Sequence, residues 1–423
     1  MKKKKTFSVS TLGCRTNQYE SSAYSNQLEK MGYTRVKEGD VANLCIINTC
    51  TVTKSADQRS KAKIAQEIKK HPGAKIVVTG CLVESSAEVR EEILELGSSS
   101  ALPIQIVRNQ EKESLISEVF PDEENYPEFV INQFEARTRA FVKIQDGCNS
   151  FCTYCIIPYV RGRSRSRKIP EILSEIRSLV ESGYKEVVLT GINIGDFEDG
   201  DQRLSDLIRL VDQVEGLERI RVSSIDPDEV DDPLKDAILQ GKNTCPSMHI
   251  VLQSGSNSIL KRMNRKYTRQ MFFDSLDRLR EDNPDFTCTT DIIVGFPGET
   301  EEDFADTIDA VEKAEFAKVH MFPYSPRKRT KAALYKNPVS PEEIKRRKTL
   351  LLHKAEEVAY KLRERFVGKT VYVLVEQKME SGFFGHSEHF LPVYIQSTSL
   401  KQNLLVPVKL TKNTPMGLEG ICV

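Results

Sequence analysis

Six of the ten cysteines fall into two sets of three, and their spacing restricts the fold more than any other feature of the chain. The tighter set lies in Gly147-Cys148-Asn149-Ser150-Phe151-Cys152-Thr153-Tyr154-Cys155, a C-x3-C-x2-C pattern. Three thiolates so spaced can bind three corners of a cubane iron–sulfur cluster and leave the fourth iron open, whereas electron carriers with four cysteine ligands close every corner. A zinc knuckle or a chance trio is the plainer alternative. Zinc knuckles usually recruit a fourth Cys or His nearby, and none lies within thirty residues of Cys155.

The second set is organised by topology. Short apolar runs at Phe7 to Leu12, Leu44 to Asn48 and Lys75 to Thr79 alternate with helical spacing over Gln18 to Met31 and Ser55 to Lys70. That alternation predicts a parallel, doubly wound sheet at the amino terminus. Each run ends within two residues of a cysteine, at Gly13-Cys14, Thr49-Cys50 and Gly80-Cys81. Parallel strands bring those thiols to the carboxyl edge, where open α/β sheets place their ligands. The separations of 36 and 31 residues are too long for a local metal loop. Any one of these thiols alone reads better as a core cysteine, and the coincidence of three strand ends favours a site. Cys45, Cys245, Cys288 and Cys422 have no partners at ligand spacing and read as core or incidental thiols, with Cys45 inside a strand and away from the edge that carries Cys50.

The length of 423 residues suggests two to four domains. Lys plus Arg equals Asp plus Glu at 61 each, so no global positive field advertises a nucleic acid, and such binding must rest on local patches. The basic start Met1 to Lys5 has no apolar run behind it, and no eighteen-residue apolar segment occurs. A cytoplasmic protein without a membrane span is expected, with its cysteines reduced and serving as metal ligands rather than disulfides.

After an acidic connector at Pro121 to Glu128, candidate strands recur at Ala140 to Ile144, Glu186 to Thr190, Arg219 to Ser223, Met248 to Leu252, Thr289 to Val294 and Lys318 to Phe322. Six βα units fit an incomplete barrel, whose reactive groups come from strand carboxyl ends. The cysteine loop follows the first strand, Gly191-Ile192-Asn193 the second, Ser224 and Asp226 the third, and Gln253-Ser254-Gly255 the fourth. Gly295-Phe296-Pro297-Gly298-Glu299-Thr300 follows the fifth strand and Tyr324-Ser325-Pro326-Arg327 the sixth. Glycines at these places could admit a ligand close to the backbone or serve as ordinary turns. Arg161-Gly162-Arg163-Ser164-Arg165-Ser166-Arg167-Lys168 carries five cations in eight residues, read either as a solvated face or as a grip for phosphates or a carboxylate. Pro341 to Val367 predicts a long helix. Beyond Gly368, runs at Thr370 to Val375, Leu391 to Gln396 and Leu404 to Leu410 predict a small antiparallel β-barrel. Its Tyr372, Phe383, Phe384 and Phe390 could stack bases or form its core.

These features resemble a known family. The C-x3-C-x2-C loop is similar to that of radical S-adenosylmethionine enzymes. Thr11-Leu12-Gly13-Cys14-Arg15-Thr16-Asn17-Gln18-Tyr19-Glu20-Ser21, Asn48-Thr49-Cys50-Thr51-Val52-Thr53 and Thr79-Gly80-Cys81 look like the amino-terminal domain of the methylthiotransferases. Leu252-Gln253-Ser254-Gly255-Ser256, Lys261-Arg262-Met263-Asn264-Arg265 and Gly295 to Thr300 resemble that family's barrel motifs, and the last fifty-five residues resemble its RNA-binding TRAM domain. The resemblance implies an amino-terminal domain over 1–120, a radical S-adenosylmethionine core over 134–366 and a TRAM-like barrel over 367–423.

It further implies two [4Fe-4S] clusters, an auxiliary one on Cys14, Cys50 and Cys81 and a radical-generating one on Cys148, Cys152 and Cys155. Tyr154, Gly191, Asn193, Ser224, Gln253 and Gly295 become candidate contacts for S-adenosylmethionine. The implied reaction begins when a 5′-deoxyadenosyl radical takes hydrogen from an unactivated C–H bond. The auxiliary cluster delivers sulfur, and a second S-adenosylmethionine donates the methyl group. Adenine C2 is neither acidic nor electrophilic enough for polar substitution near neutral pH, so no tuned general base is demanded. The implied partners are the anticodon stem-loop of tRNA and an electron donor such as a flavodoxin or ferredoxin, with the enzyme acting as a monomer.

Three substrates occur in the family. The motifs here look most like the members that act on N6-threonylcarbamoyladenosine, although Arg15-Thr16 stands where that subgroup usually has Lys-Val. Members acting on isopentenyladenosine usually read Gly-Cys-Gln-Met-Asn, and those acting on a ribosomal protein aspartate read Gly-Cys-Pro-Lys-Asn. A reading from another class is a non-catalytic iron–sulfur or zinc protein that binds RNA through its terminal barrel. Under that reading Cys148→Ala should destabilise the fold without abolishing any nucleoside product; a stable Cys148→Ala protein that makes no product counts against it.

Overall fold

The computed structural model describes residues 5–37, 39–99, 102–133, 138–397 and 399–423. Residues 1–4 of the basic start and the expected first residues of the central domain, 134–137, lie outside the described residues. Two compact units result. One joins Met1–Glu135 to Asp146–Arg165 and Ser325–Ala333; the other comprises Ala136–Gln145, Ser166–Tyr324 and Leu334–Val423. The cysteine loop therefore belongs to the same unit as the amino-terminal sheet.

That sheet is entirely parallel, with spatial order Thr34–Arg35, Thr6–Thr11, Leu44–Thr49, Lys75–Gly80, Gln105–Ile106. Leu44–Thr49 is buried along its whole length, as a strand covered on both faces must be. The chain winds outward in both directions from the pair Thr6–Thr11 and Leu44–Thr49, which makes their carboxyl ends the topological switch point. Cys14 follows the first of these strands and Cys50 the second, while Cys81 follows the adjacent Lys75–Gly80. Helix Arg15–Lys30 starts at Cys14 and buries polar side chains, including Asn17, Glu20 and Ser21, against the sheet. A buried polar face is costly unless its groups find partners, and Asn48 near the end of a central strand meets the Asn17 carbonyl, Glu20 and Ser21.

In the second unit six parallel strands pair in chain order. They are Arg139–Lys143, Glu186–Thr190, Arg219–Ile225, Thr244–Ile250, Thr287–Val294 and Lys318–Pro323, forming an open half-barrel. The terminal strands Thr370–Met379, Gly382–Ser387, Pro392–Ile395, Gly417–Cys422 and Leu405–Thr414 close a five-stranded barrel. The expected antiparallel pairing holds except between Pro392–Ile395 and Gly417–Cys422, which run parallel. Leu362 and Phe366, at the end of the long helix Pro341–Glu364, enter its core beside Val373, Phe383 and Val408.

One carboxylate ties the half-barrel to this terminal barrel. Glu186, fully buried at the amino-terminal end of its strand, meets Arg221 at 2.8 Å, Arg219 at 3.2 Å and Arg139 at 3.3 Å. Arg219 donates onward to the Tyr372 carbonyl at 2.7 Å and Arg221 to the Ser387 carbonyl at 2.7 Å, while Arg139 pairs with Glu376. Phe390 stacks on His386 with ring centroids 4.9 Å apart and lies under Arg139 and Arg221, so it anchors the barrel. Phe383 is core, Phe384 packs edgewise on His386, and Tyr372 is exposed. No helix among the described residues is long and apolar enough to cross a membrane.

Burial alone would raise the Glu186 carboxyl, but Arg221, Arg139 and Arg219 overcome it and hold it at about 2 against an ordinary 4.5. A depressed acid stabilises the fold above its unfolded value, and that contribution disappears as pH falls from about 4.5 towards 2. Glu186→Gln should therefore flatten the fall of the denaturation midpoint over this interval. Stranding three buried guanidiniums should also cost about 3–5 kcal/mol near neutral pH, measured by urea unfolding.

Candidate functional site

The amino-terminal triad is held by side chains that cross-link strand ends. Asn17 donates from one amide nitrogen to the Leu12 carbonyl at 2.7 Å and the Thr49 carbonyl at 2.9 Å, binding together the backbones that lead into Cys14 and Cys50. Asn48 donates to the Asn17 carbonyl at 3.1 Å and Glu20 at 3.2 Å, seating the helix on the sheet. Ser60 accepts the Cys50 N–H at 3.2 Å and donates to the Cys50 carbonyl at 2.9 Å. A Cβ on Gly13 would lie 2.9 Å from Cys50 Cβ and 3.1 Å from its sulfur, so this cradle accepts no larger residue. Burial pushes Cys81 to about 11 and raises Cys50, and each of these thiols also feels Cys14. Three thiols brought to one sheet edge, with Cys50 and Cys81 both coupled electrostatically to Cys14, are a donor set whose chemistry suits a soft metal or an iron–sulfur cluster.

Arg161, six residues beyond Cys155, is buried and occupies the space beside Cys81. Its Nε donates to Cys81 Sγ at 3.3 Å. One terminal nitrogen meets Asp146 at 2.9 Å and Glu20 at 3.0 Å, and the other meets Asn17 Oδ1 at 2.5 Å. Lys112, also buried, meets Glu20 at 2.7 Å and pairs with Asp146. Burial would pull the guanidinium down, but the Cys81 sulfur, Glu20 and Asp146 outweigh it and hold Arg161 above the ordinary arginine range. Two cations and two carboxylates thus balance in the interior, and the motif residues Asn17 and Glu20 acquire a physical role. Sequence reasoning missed this network because its members come from positions 17, 20, 112, 146 and 161.

The second triad forms a tight loop in the same unit. Cys155 N–H donates to the Cys152 carbonyl at 3.0 Å, Cys148 N–H to the Gly162 carbonyl at 3.2 Å, and Ser150 N–H to Cys148 Sγ at 3.4 Å. Phe151 takes a left-handed φ of 48° between the first two cysteines. Ala332 N–H donates to the Thr153 carbonyl at 2.8 Å, and Arg327 reaches Thr51 at 2.6 Å and Asp57 at 2.7 Å. Segment 325–333 therefore braces both cysteine regions. Tyr154 is half-buried within the loop.

The remaining candidates lie at strand ends of the half-barrel. Gln145 Oε1 accepts the N–H groups of Ile192 at 2.9 Å and Asn193 at 3.1 Å, closing the turn after Gly191. Asn193 donates to Glu229 at 2.7 Å; burial and neighbouring Asp226 push Glu229 to about 7, a perturbed acid that the sequence did not single out. Gln253 adopts a left-handed φ of 63°, and its buried Oε1 has no partner among the described residues, as a ligand-facing group would. Ser224 lies inside strand Arg219–Ile225 rather than beyond it, and the orphaned hydroxyl is that of Ser223. Gly295, with φ of 78°, has a packing reason: a Cβ there would sit 2.4 Å from Ile344.

Cys45, Cys245 and Cys288 are buried and Cys422 is exposed. Cys45, Glu67 and His71 offer ligand atoms within 4.8 Å of one another. His71 Nδ1 accepts the Ala42 N–H at 2.9 Å, however, and Glu67 takes Ser10 at 3.0 Å and Lys63 at 2.7 Å, so two of the three side chains are already engaged, while His71 Nε2 lies 3.1 Å from Glu67 with no hydrogen bond among the described residues. The basic run Arg161 to Lys168 disperses: Arg161 is buried, Arg163 lies over Phe151 at 4.3 Å, Arg165 meets Asp146, Arg167 meets Glu175 and Lys168 meets Asp199.

Residues 142–311 match the radical SAM superfamily, and residues 6–100 match an uncharacterised family designated UPF0004. A threonylcarbamoyladenosine tRNA methylthiotransferase of Chlamydia pneumoniae is 48% identical over 419 residues, covering 99% of this chain and 98% of that one. A tRNA-2-methylthio-N(6)-dimethylallyladenosine synthase of Clostridium novyi is 36% identical, covering 98% and 96%. Among solved structures, a radical S-adenosylmethionine methyltransferase of Kitasatospora setae superposes with a TM-score of 0.56 at 13% identity, covering 87% of this chain and 80% of that chain, a likeness of fold.

Arg161→Leu should leave Glu20 and Asp146 short of a cation and cost about 3–5 kcal/mol of stability. Arg161→Lys should recover part of it, because it restores the charge without the fork. Urea unfolding of the two variants side by side checks the order.

Proposed function

The chain belongs to the radical S-adenosylmethionine methylthiotransferases, and on that premise we propose that it places a methylthio group on C2 of N6-threonylcarbamoyladenosine beside the anticodon of tRNA. The observation that carries this reading is the pair of thiol triads within one unit, each on its own backbone frame. The choice of nucleoside rests on the 48% identity to a relative named for it, against 36% to one named for the dimethylallyl derivative.

In this reading Cys14, Cys50 and Cys81 hold an auxiliary [4Fe-4S] cluster, and Cys148, Cys152 and Cys155 hold the cluster that serves S-adenosylmethionine. When bound, these groups supply a carbon radical able to take hydrogen from an unactivated C–H bond, a sulfur atom, and a methyl group from a second S-adenosylmethionine. The chain's own work is to position and to protect. Asn17 and Asn48 fix the strand ends, Arg161 donates to a ligand sulfur, and Ser150 donates its N–H to another. Hydrogen bonds to cluster sulfurs raise reduction potentials, so both donors favour electron entry. Ile156, Ile157 and Val160 pack on Cys81 and keep water from it. Asn193, Gln253 and Ser223 offer polar groups for S-adenosylmethionine, with Tyr154, Gly191, Ser224 and Gly295 as further candidates.

Nucleosides from tRNA of cells with and without this gene, compared by mass spectrometry, test the proposal. The expected result is loss of 2-methylthio-N6-threonylcarbamoyladenosine with accumulation of its unthiolated precursor. Loss of the isopentenyl derivative instead would assign the other nucleoside. In the isolated enzyme, Cys14→Ala and Cys148→Ala should each lower iron from about eight to about four per chain and abolish the product.

A further inference from the structure

A cavity of about 520 Å³ lies in the first unit, on the side of helix Ile157–Val160 that Tyr159, Arg161 and Gly162 present. Besides the buried Arg161, already paired with Glu20 and Asp146, four arginines that no one would group from the sequence line it: Arg90, Arg108, Arg165 and Arg329. Two of them are neutralised. Arg108 makes a two-pronged pair with Glu84 at 2.9 and 3.1 Å, and Arg165 meets Asp146 at 3.1 Å.

Arg90 and Arg329 are not. Arg90 donates to the Val83 carbonyl at 3.0 Å, and Arg329 lies over the Tyr159 ring at 4.9 Å; neither has a carboxylate partner among the described residues. Nearby Glu88 is fully exposed, its carboxylate engaged by the Ser86 side chain and by its own backbone N–H; it feels the charges of Lys328 and of Arg90, with no ion pair to either among the described residues. Ser86 and Ala87, which begin helix Ala87–Leu96, also line the cavity and add backbone donors at a helix amino terminus. Two guanidinium forks with spare N–H groups, held by a carbonyl and by an aromatic face, are arranged to receive a bidentate anion.

The surroundings select the anion. Arg329, Tyr159, Phe151 and Arg163 form a ladder in which two rings lie between two guanidiniums, the guanidiniums 4.9 and 4.3 Å from the adjacent rings and the rings 6.3 Å apart edge to face. Tyr159 is exposed, and Phe151 lies between Cys148 and Cys152. Phosphate contacts beside exposed aromatic faces are how single-stranded RNA is held. A chain with no net charge must concentrate its positive potential in such a place.

We infer that this cavity binds a backbone phosphate of the RNA substrate, with Arg90 and Arg329 as its ligands and Tyr159 as the neighbouring stacking surface. The inference rests on the reading that RNA is the substrate, and it deepens that reading by naming where the backbone is held.

The test measures binding of the cluster-loaded enzyme to an anticodon stem-loop RNA by fluorescence anisotropy over a range of salt. The double variant Arg90→Ala/Arg329→Ala should weaken binding at least tenfold and lower the slope of log affinity against log salt by about one, the signature of one lost phosphate contact. Arg90→Lys/Arg329→Lys should keep most of that slope, which separates a lost contact from a lost fold. Inorganic phosphate should compete with RNA on the parent protein more than on the alanine variant.

Unchanged affinity and slope in the alanine variant, or equal competition by phosphate on both proteins, would overturn the inference. Because a backbone contact ignores the base, the loss should be the same for stem-loops carrying adenosine or a modified adenosine. A wrong nucleoside assignment would therefore alter the mass-spectrometric product and leave this result standing, whereas a base-dependent loss would sink the inference alone.

Discussion

The Arg161 guanidinium is the contact on which the first unit depends. It is a charge fully removed from water, tolerable only because Glu20, Asp146, Asn17 and the Cys81 sulfur surround it with acceptors. Those partners come from the first helix, from the residue preceding the cysteine loop and from the carboxyl end of a central strand. One side chain, emitted from the cysteine loop's own exit, thereby fixes the loop against the sheet edge that carries the other triad. A neutral residue of similar size would fill the space and leave two buried carboxylates with Lys112 and the exposed Arg165 to balance them.

The second unit uses the same physics with the signs reversed. There a single buried carboxylate, Glu186, gathers three guanidiniums, and their remaining N–H groups reach carbonyls of the terminal barrel. The contact lies at the amino-terminal ends of the half-barrel strands, the end of such folds that serves stability, and leaves the carboxyl ends free for ligands. Asn193, Ser223, Gln253 and the perturbed acid Glu229 occupy those carboxyl ends.

Much of this was legible in the sequence, and the reasons are physical. Leu44–Thr49 and Glu186–Thr190 are buried throughout, so they read as uninterrupted apolar runs bounded by turns. The strand-end cysteines could be placed because parallel topology carries strand ends to one edge whatever their distance in sequence. Thr34–Arg35 and Gln105–Ile106 could not be read, since two residues hold no period. Gly382–Ser387 and Gly417–Cys422 each contain two glycines, which erase the alternation of a barrel strand. The five-cation run looked like one patch, yet only Arg161 and Arg165 share a partner, Asp146, and the other three reach Phe151, Glu175 and Asp199, because neighbouring side chains on irregular backbone diverge. Arg90 and Arg329 stand 239 positions apart and become neighbours of one cavity only through the tertiary fold.

The first unit is assembled from three stretches of chain, and the last of them, Ser325–Ala333, hydrogen-bonds to both cysteine regions. During synthesis the ribosome delivers these residues long after Cys14, Cys50 and Cys81 have emerged. The amino-terminal sheet can fold early from local βα pairings, but the bracing of its cysteine-bearing edge is a late, non-local event. Newly made chains therefore pass through an interval in which six thiols stand on an incomplete scaffold, and the two triads acquire their final frame only after the central strands are finished rather than when the first domain appears.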